Sequence, residues 1–190
     1  MKNKVRFNLK NVHYAKLTTT EDGTASFATP VRIPGAVSLS MSAEGDTADF
    51  FADGVKYYVS VANNGYSGDL EIAMVPDAFR KDILGEVEDT TGKVLMEYAD
   101  VEPQPFALLF EFDGDKKSIR HVLYNCTTTR PGLEGSTSTE SKEVQTETLT
   151  LTAAALTDGL VKAKTGDETT EAIYNAWYRN VWIPTAVPEG

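Results

Sequence analysis

Apolar side chains recur at every second position along most of the chain, the spacing of strands with one buried and one solvated face. Val5, Phe7 and Leu9 share one parity, with Arg6, Asn8 and Lys10 on the other. Val12 and Tyr14 then fall on the opposite parity, so a bulge or turn is expected near Asn11. Glu21-Asp22-Gly23 predicts a turn into a second strand containing Ala25, Phe27, Val31 and Ile33, ended by Pro34-Gly35. Val37, Leu39 and Met41 alternate with Ser38, Ser40 and Ser42, and after an acidic loop Val55, Tyr57, Val59 and Val61 alternate again. Asn63-Asn64-Gly65 tolerates positive φ and predicts a turn into Leu70, Ile72 and Met74, so this region reads as a meander.

The period changes at Pro76, which suits a first helical position; Phe79 and Ile83 are one turn apart and Gly85 is placed as a terminator, so residues 76–84 are expected to form a short helix. Residues 93–98, 106–112 and 118–126 return to strand, the last two forming a hairpin about Asp113-Gly114-Asp115. Phe106, Leu108, Phe110 and Phe112 make its apolar face, while Leu109 and Val122 predict that part of the opposite face is covered too. Residues 127–141 are rich in Thr, Ser, Gly and Glu and predict a long exposed loop. Thr146, Thr148, Thr150 and Thr152 then share one parity, with Leu149 and Leu151 on the other, and Gly159 separates that strand from residues 160–164. Ile173, Ala176 and Trp177 share a helical face, with Asp167 as an expected cap, and residues 184–190 are expected to be a flexible tail.

Strands thus outnumber helices heavily and no fixed-period repeat is present. The pattern predicts a mainly β protein: an antiparallel β-sandwich or barrel with a short packed helix and a C-terminal helix, in one domain over residues 1–183. A length of 190 residues suits one domain with a continuous core. The basic start, Lys2, Lys4 and Arg6, enters no apolar run, so neither a signal peptide nor a membrane anchor is expected, and no later stretch reaches the roughly 20 apolar residues of a membrane span. A net charge of -10 without a Lys/Arg cluster argues against phosphate-reading nucleic-acid binding. Cys126 is the one cysteine, which excludes an intramolecular disulfide.

Candidate chemistry changes the picture little. His13 and His121 stand in separate strands without a further ligand at metal spacing, and no nucleophile elbow, phosphate loop or dinucleotide fingerprint occurs. Asp113-Gly114-Asp115 is followed at once by Lys116-Lys117 and lacks the closing Glu of a calcium loop. Acidic pairs such as Glu86 and Glu88, or Asp167 and Glu168, sit in polar turns where nothing raises a carboxylate pKa. No catalytic residue, metal or cofactor is expected. One segment does stand out, Glu44 to Gly54, where Glu44, Asp46 and Asp49 precede the adjacent pair Phe50-Phe51. Those rings either tuck onto the protein's own core, insert into a neighbouring copy or meet a ligand.

The runs Phe51-Ala52-Asp53-Gly54-Val55-Lys56-Tyr57-Tyr58, Asn64-Gly65-Tyr66-Ser67-Gly68-Asp69-Leu70 and Pro76-Asp77-Ala78-Phe79 to Ile83-Leu84-Gly85 resemble the major tail proteins of siphophages. So do Phe106-Ala107-Leu108-Leu109-Phe110-Glu111 and Val122-Leu123-Tyr124-Asn125-Cys126 ahead of Arg130-Pro131, and the resemblance spans residues 37–152. It implies a structural virion subunit that joins its sheets into six-fold rings, which stack into a tail tube for phage DNA. The implied partners are further copies of the chain and the tape measure, tail terminator and distal tail proteins, in a phage tail assembled in the bacterial host cytoplasm. On that reading Ser38, Ser40, Ser42, Lys56, Tyr58, Ser60, Asp69, Glu71, Thr146, Thr148 and Thr150 are candidates for the lumen face. Val37, Leu39, Met41, Tyr57, Val59 and Val61 are expected to pack inward. Glu44, Asp46, Asp49, Phe50, Phe51 and Arg130 are candidates for contacts between subunits. A ligand-binding β-barrel with Phe51, Tyr57, Tyr58 and Tyr66 around a pocket stays open, as do a surface adhesin, a terminator or connector, and a tube protein of a contractile injection device.

Overall fold

The computed structural model describes residues 3–137 and 144–185. Its strands are β1 (Arg6–Thr19), β2 (Ala25–Phe27), β3 (Val31–Arg32), β4 (Ala36–Glu44), β5 (Thr47–Ala52), β6 (Val55–Val61) and β7 (Gly65–Ile72). Helix α1 (Asp77–Asp82) follows, then β8 (Val87–Glu88), β9 (Leu95–Met96), β10 (Phe106–Gly114), β11 (Ile119–Thr128), β12 (Glu147–Ala154), β13 (Lys162–Lys164) and α2 (Glu171–Ala176). Seven strands form one antiparallel path, β2-β1-β10-β11-β12-β7-β4, with β3 on β1 and β13 on β11; β5-β6 and β8-β9 are separate two-stranded ribbons. The sheet curls until β4 comes beside β1, but the path does not close into a barrel.

The alternation places a core on each face. On the concave side, Val12, Tyr14, Leu70, Ile72, Phe106, Leu108, Leu149 and Leu151 are buried around Phe79, Ile83 and Leu84 from the α1 segment. A six-residue helix has little stability of its own in water. It forms because three side chains are sealed in the core, each contributing roughly 1.5–3 kcal/mol. Arg80 fastens it from above, its guanidinium 2.6 Å from Glu147 and 3.2 Å from Glu86. On the convex side, Ala15, Ala107, Leu109, Val122 and Tyr124 are covered by Trp177, Tyr178, Val181 and Trp182. The two-sided burial expected at Leu109 and Val122 is the seat of residues 177–182, the segment that follows α2.

Several expectations change at the level of local geometry. The slip in β1 is real: Asn11 has φ 50°, and the pairing with β10 shifts there and again between Phe7 and Leu9, beside Asn8 with φ 24°. Val5 and Phe7 lie beyond the core and are half exposed. The short helix expected over residues 76–84 forms over Asp77–Asp82, with Pro76 as its N-cap instead of its first helical residue and Gly85 at φ 75° after it. The C-terminal helix is capped at Thr170 rather than Asp167, and residues 93–98 keep only the short β9. Part of the expected loop, residues 138–141, and most of the expected tail, residues 186–190, lie outside the described residues. Thr127 and Thr128 belong to β11.

The meander is replaced by one long hairpin. β4 pairs directly with β7, from Ala36↔Ile72 to Glu44↔Gly65. The ladder continues through Asn64 N–H to Glu44 C=O (2.8 Å) and Ala62 N–H to Asp46 C=O (2.9 Å) into the β5-β6 pairing. Asn63-Asn64-Gly65 is therefore a joint between two halves of the hairpin, with Gly65 at φ 102°. The reversal lies at Asp53-Gly54, with φ 51° and 77°, the two positive angles of a tight two-residue hairpin turn.

Candidate assembly surface

Strands β4, β7 and β12 are two-faced because apolar and polar side chains alternate along all three. Leu39, Met41, Leu70, Ile72, Leu149 and Leu151 turn to the concave core. Registers on the other face align Ser38 with Glu71 and Thr148, Ser40 with Asp69 and Thr150, and Ser42 with Ser67 and Thr152. Hydrogen bonds tie these rows: Ser38 Oγ donates to Glu71 Oε2 (3.0 Å), Thr146 Oγ1 to Glu71 Oε1 (2.8 Å), Thr150 Oγ1 to Asp69 Oδ1 (2.8 Å), and Ser67 Oγ to Glu44. Eight of the sequence-predicted lumen candidates, Ser38, Ser40, Ser42, Asp69, Glu71, Thr146, Thr148 and Thr150, thus share one contiguous hydroxyl and carboxylate surface. Gly68 makes this possible, since a Cβ there would collide with the Ser40 carbonyl and hold β4 off β7.

The remaining three candidates do not join that surface. Lys56, Tyr58 and Ser60 stand on β6, which with β5 projects beyond Gly45 and Gly65 as an arm of roughly 25 Å, at about 3.3 Å per residue over residues 46–53. A register shift at Tyr57 also splits them: Lys56 faces the same way as Phe51 and Asp49, whereas Tyr58 and Ser60 face with Phe50 and Ala48. Lys56 Nζ lies 2.5 Å from Asp49, confirming their common face.

Inward packing of the β6 residues is overturned. Tyr57 is 73%, Val59 43% and Val61 75% exposed, and Val37, displaced by a bulge at the base of β4, is 53% exposed. Only Leu39 and Met41 of that set pack on the core. Phe50 and Phe51 are 59% and 62% exposed, so they do not tuck onto the protein's own core. Paired residues share a face, which gives one side of the arm Phe51, Val59 and Val61 and the other Phe50, Tyr58 and Val55. A two-stranded ribbon is marginal by itself, and apolar side chains exposed on both its faces need a covering surface. Of the acidic candidates, Asp46 and Asp49 belong to the arm and Glu44 closes its base on Ser67.

Arg130 is engaged inside its own chain. Its Nη2 donates to Val101 C=O (2.7 Å), and its Nε sits 3.0 Å from Glu97 Oε1 as a charge contact without hydrogen-bond alignment. It pins the start of the 129–137 segment to residues 97–101, and Leu133 beyond it is 94% exposed. The four aromatics of a possible ligand pocket are not assembled either: Tyr66 lines a cleft in the body, while Phe51, Tyr57 and Tyr58 stand on the arm.

That cleft was not visible in the sequence. β11 changes partner along its edge, with His121–Leu123 against β13 and Asn125–Thr128 against β12. At this fork the concave face opens into a space of about 190 Å³ lined by Leu39, Met41, Tyr66, Phe110, Phe112 and Leu123. Its rim is cationic: the Arg6 guanidinium sits 5.0 Å from the Phe112 ring centre, and the Lys162 ammonium 4.2 Å from that of Tyr66. His121 stacks on Phe110 at 5.1 Å and is held neutral, its pKa lowered to about 4 by burial and then by Lys164, Arg6 and Lys162. His13 is likewise a packed strand residue, stacked 4.5 Å from Tyr178.

No protein-family model matches the chain, and no curated protein matches it in sequence.

Proposed function

We propose that this protein is a structural, non-enzymatic subunit of a phage tail tube, which self-assembles into stacked six-fold rings around a channel for DNA. The observation that carries the reading is the hairpin of residues 36–72. Its inner half presents a Ser/Thr/carboxylate face backed by core, and its outer half is an arm with unburied apolar residues on both sides. The first suits a wall past which DNA slides, and the second suits a contact that only another molecule completes. The sequence resemblance to siphophage major tail proteins supplies the ring and tube, and with them the virion as location and the tape measure, tail terminator and distal tail proteins as neighbours.

Head-to-tail contacts of this kind close a ring in one direction and propagate a filament in the other. Carboxylates on the wall repel phosphate over about 8–10 Å at physiological salt, and the hydroxyls offer no cation for DNA to hold. DNA then passes without being bound.

Electron microscopy of the purified protein across a concentration series tests this. Rings or tubes are expected above a threshold concentration. Replacing residues 47–61 by Asn-Gly should leave a folded monomer with an unchanged melting temperature and no tubes. A wild-type chain that stays monomeric at every concentration overturns the proposal.

A further inference from the structure

The cleft at the β11 fork combines an apolar floor with a cationic mouth. Leu39, Met41, Phe110, Phe112 and Leu123 supply the floor of a space of about 190 Å³. An apolar cavity of about 150 Å³ takes a benzene ring. Phe110 and Phe112 meet edge to face at 5.5 Å, and His121 stacks on Phe110 at 5.1 Å, so the lining is itself aromatic and suits one further ring. Sites for drug-sized ligands usually measure roughly 300–1,000 Å³, which limits this one to a single ring and its substituent.

Arg6 and Lys162 stand at the mouth over the rings of Phe112 and Tyr66, and Lys162 Nζ also donates to the Tyr66 hydroxyl. None of the ion pairs among the described residues includes either cation. The carboxylates of the adjoining strand, Glu111 and Asp113, are engaged by Arg120 at 3.0 Å and by Lys10 at 2.5 Å. His121 adds hydrogen-bonding capacity without charge: burial holds its imidazole neutral, and neither ring nitrogen has a hydrogen-bond partner among the described residues. Two cations thus flank a small aromatic-lined space to which no described carboxylate is paired.

We infer that this cleft binds a free monocyclic aromatic carboxylate, its ring on the floor formed by Leu39, Met41, Phe110 and Phe112 and its carboxylate between Arg6 and Lys162. The ring supplies the apolar contact, and the cations select an anion over a neutral molecule of the same shape. Arg6 offers the carboxylate a planar fork of donors, Lys162 a point charge. One ring with a short link to its carboxylate fills the volume and leaves no share for a peptide chain. Because the mouth is solvated, raising the salt concentration should weaken binding. The site lies on the body of one chain and uses no residue of the arm, so it does not depend on the tube reading.

An NMR titration of the full chain, followed through its backbone amides, tests this with phenylacetate as probe, benzyl alcohol as the uncharged ring and acetate as the charge without a ring. Phenylacetate should shift the amides of Leu39, Met41, Tyr66 and Leu123 saturably and bind roughly tenfold or more tightly than benzyl alcohol. Acetate should give no saturable shift at those residues over the same range. Arg6→Gln with Lys162→Gln, both at exposed positions, should bring phenylacetate down to the affinity of benzyl alcohol, with folding checked by thermal denaturation. Met41→Trp, which fills the floor from edge strand β4, should abolish binding of both rings. Shifts confined to another part of the chain, equal affinity for the acid and the alcohol, or a folded double variant that keeps the preference would each overturn the assignment. Tighter binding of a peptide that ends in a free phenylalanine carboxylate would overturn the free acid as occupant. Rings or tubes are scored separately by electron microscopy, so the failure of either reading leaves the other standing.

Discussion

Thr150 Oγ1 donates a 2.8 Å hydrogen bond to Asp69 Oδ1 across β12 and β7, one row from the bonds that Ser38 and Thr146 give Glu71. Hydroxyls that donate to carboxylates are oriented by them and present lone pairs outward, so the surface is negative and acceptor-rich. Asp69→Lys with Glu71→Lys should leave tube assembly intact and make assembled tubes retain DNA in a salt-dependent way. Co-sedimentation of double-stranded DNA with tubes, at low and physiological salt, measures this. Equal, negligible retention by both proteins would remove these residues from the channel wall.

Glu111 is nearly buried and holds Arg120 at 3.0 Å, while Asn11 and Tyr178 donate to it at 2.8 and 3.2 Å. Arg120 in turn lies 3.7 Å from the Tyr174 ring centre and donates to its carbonyl. Together these clamp the C-terminal segment onto β10 and β11. Glu111→Ala strands a cation and two donors, and should cost about 3–5 kcal/mol in urea denaturation. Loss below about 1 kcal/mol would show that α2 is held by Trp177 and its neighbours alone.

Cys126 is completely buried, and burial pushes its thiol up to about 12. Both the access and the thiolate needed for attack are missing. A disulfide reagent at pH 8 should label the folded protein only at its unfolding rate, and the urea-denatured protein at once. Rapid labelling of the native protein would contradict the packing of β11 on the concave core.

His121 is neutral in the folded protein down to pH about 4, whereas an unfolded histidine titrates near 6.5. Between those values the unfolded chain binds a proton that the folded chain does not, so stability falls as the pH drops through this window. The loss is about 2 kcal/mol after allowance for the solvent His121 still touches. Melting curves from pH 7 to 4 should therefore be shallower for His121→Gln than for wild type. Parallel curves would mean that the imidazole is not desolvated at the fork.

Much of the fold was legible because it depends on local rules. The phase slip at Asn11, the short helix after Pro76 and the hairpin about Gly114 each follow from side-chain periodicity and turn chemistry. The Ser/Thr/acid surface followed as well, because parity fixes the face once strands pair. The arm was misread for a physical reason. Val55, Tyr57, Val59 and Val61 alternate like any half-buried strand, and alternation does not say whether a core lies opposite. Asn63-Asn64-Gly65 looked like a turn because its residues accept positive φ, yet it serves as the joint of a longer ladder. The cleft was illegible, since it arises from β11 dividing its edge between β12 and β13, a long-range pairing with no sequence period.

The ladder that runs from Ala36↔Ile72 across the Asn63-Asn64-Gly65 joint to Ala52↔Val55 has a mechanical consequence. Antiparallel hydrogen bonds run perpendicular to their strands. A pull on the tip along the arm's axis draws β4 and β7 the same way, so the load passes into the β7-β12 ladder lengthwise and shears its bonds together instead of peeling them open one by one. The tip at Asp53-Gly54 is thus a handle rooted in the sheet, and tension applied there passes through β7, the strand that displays Asp69 and Glu71.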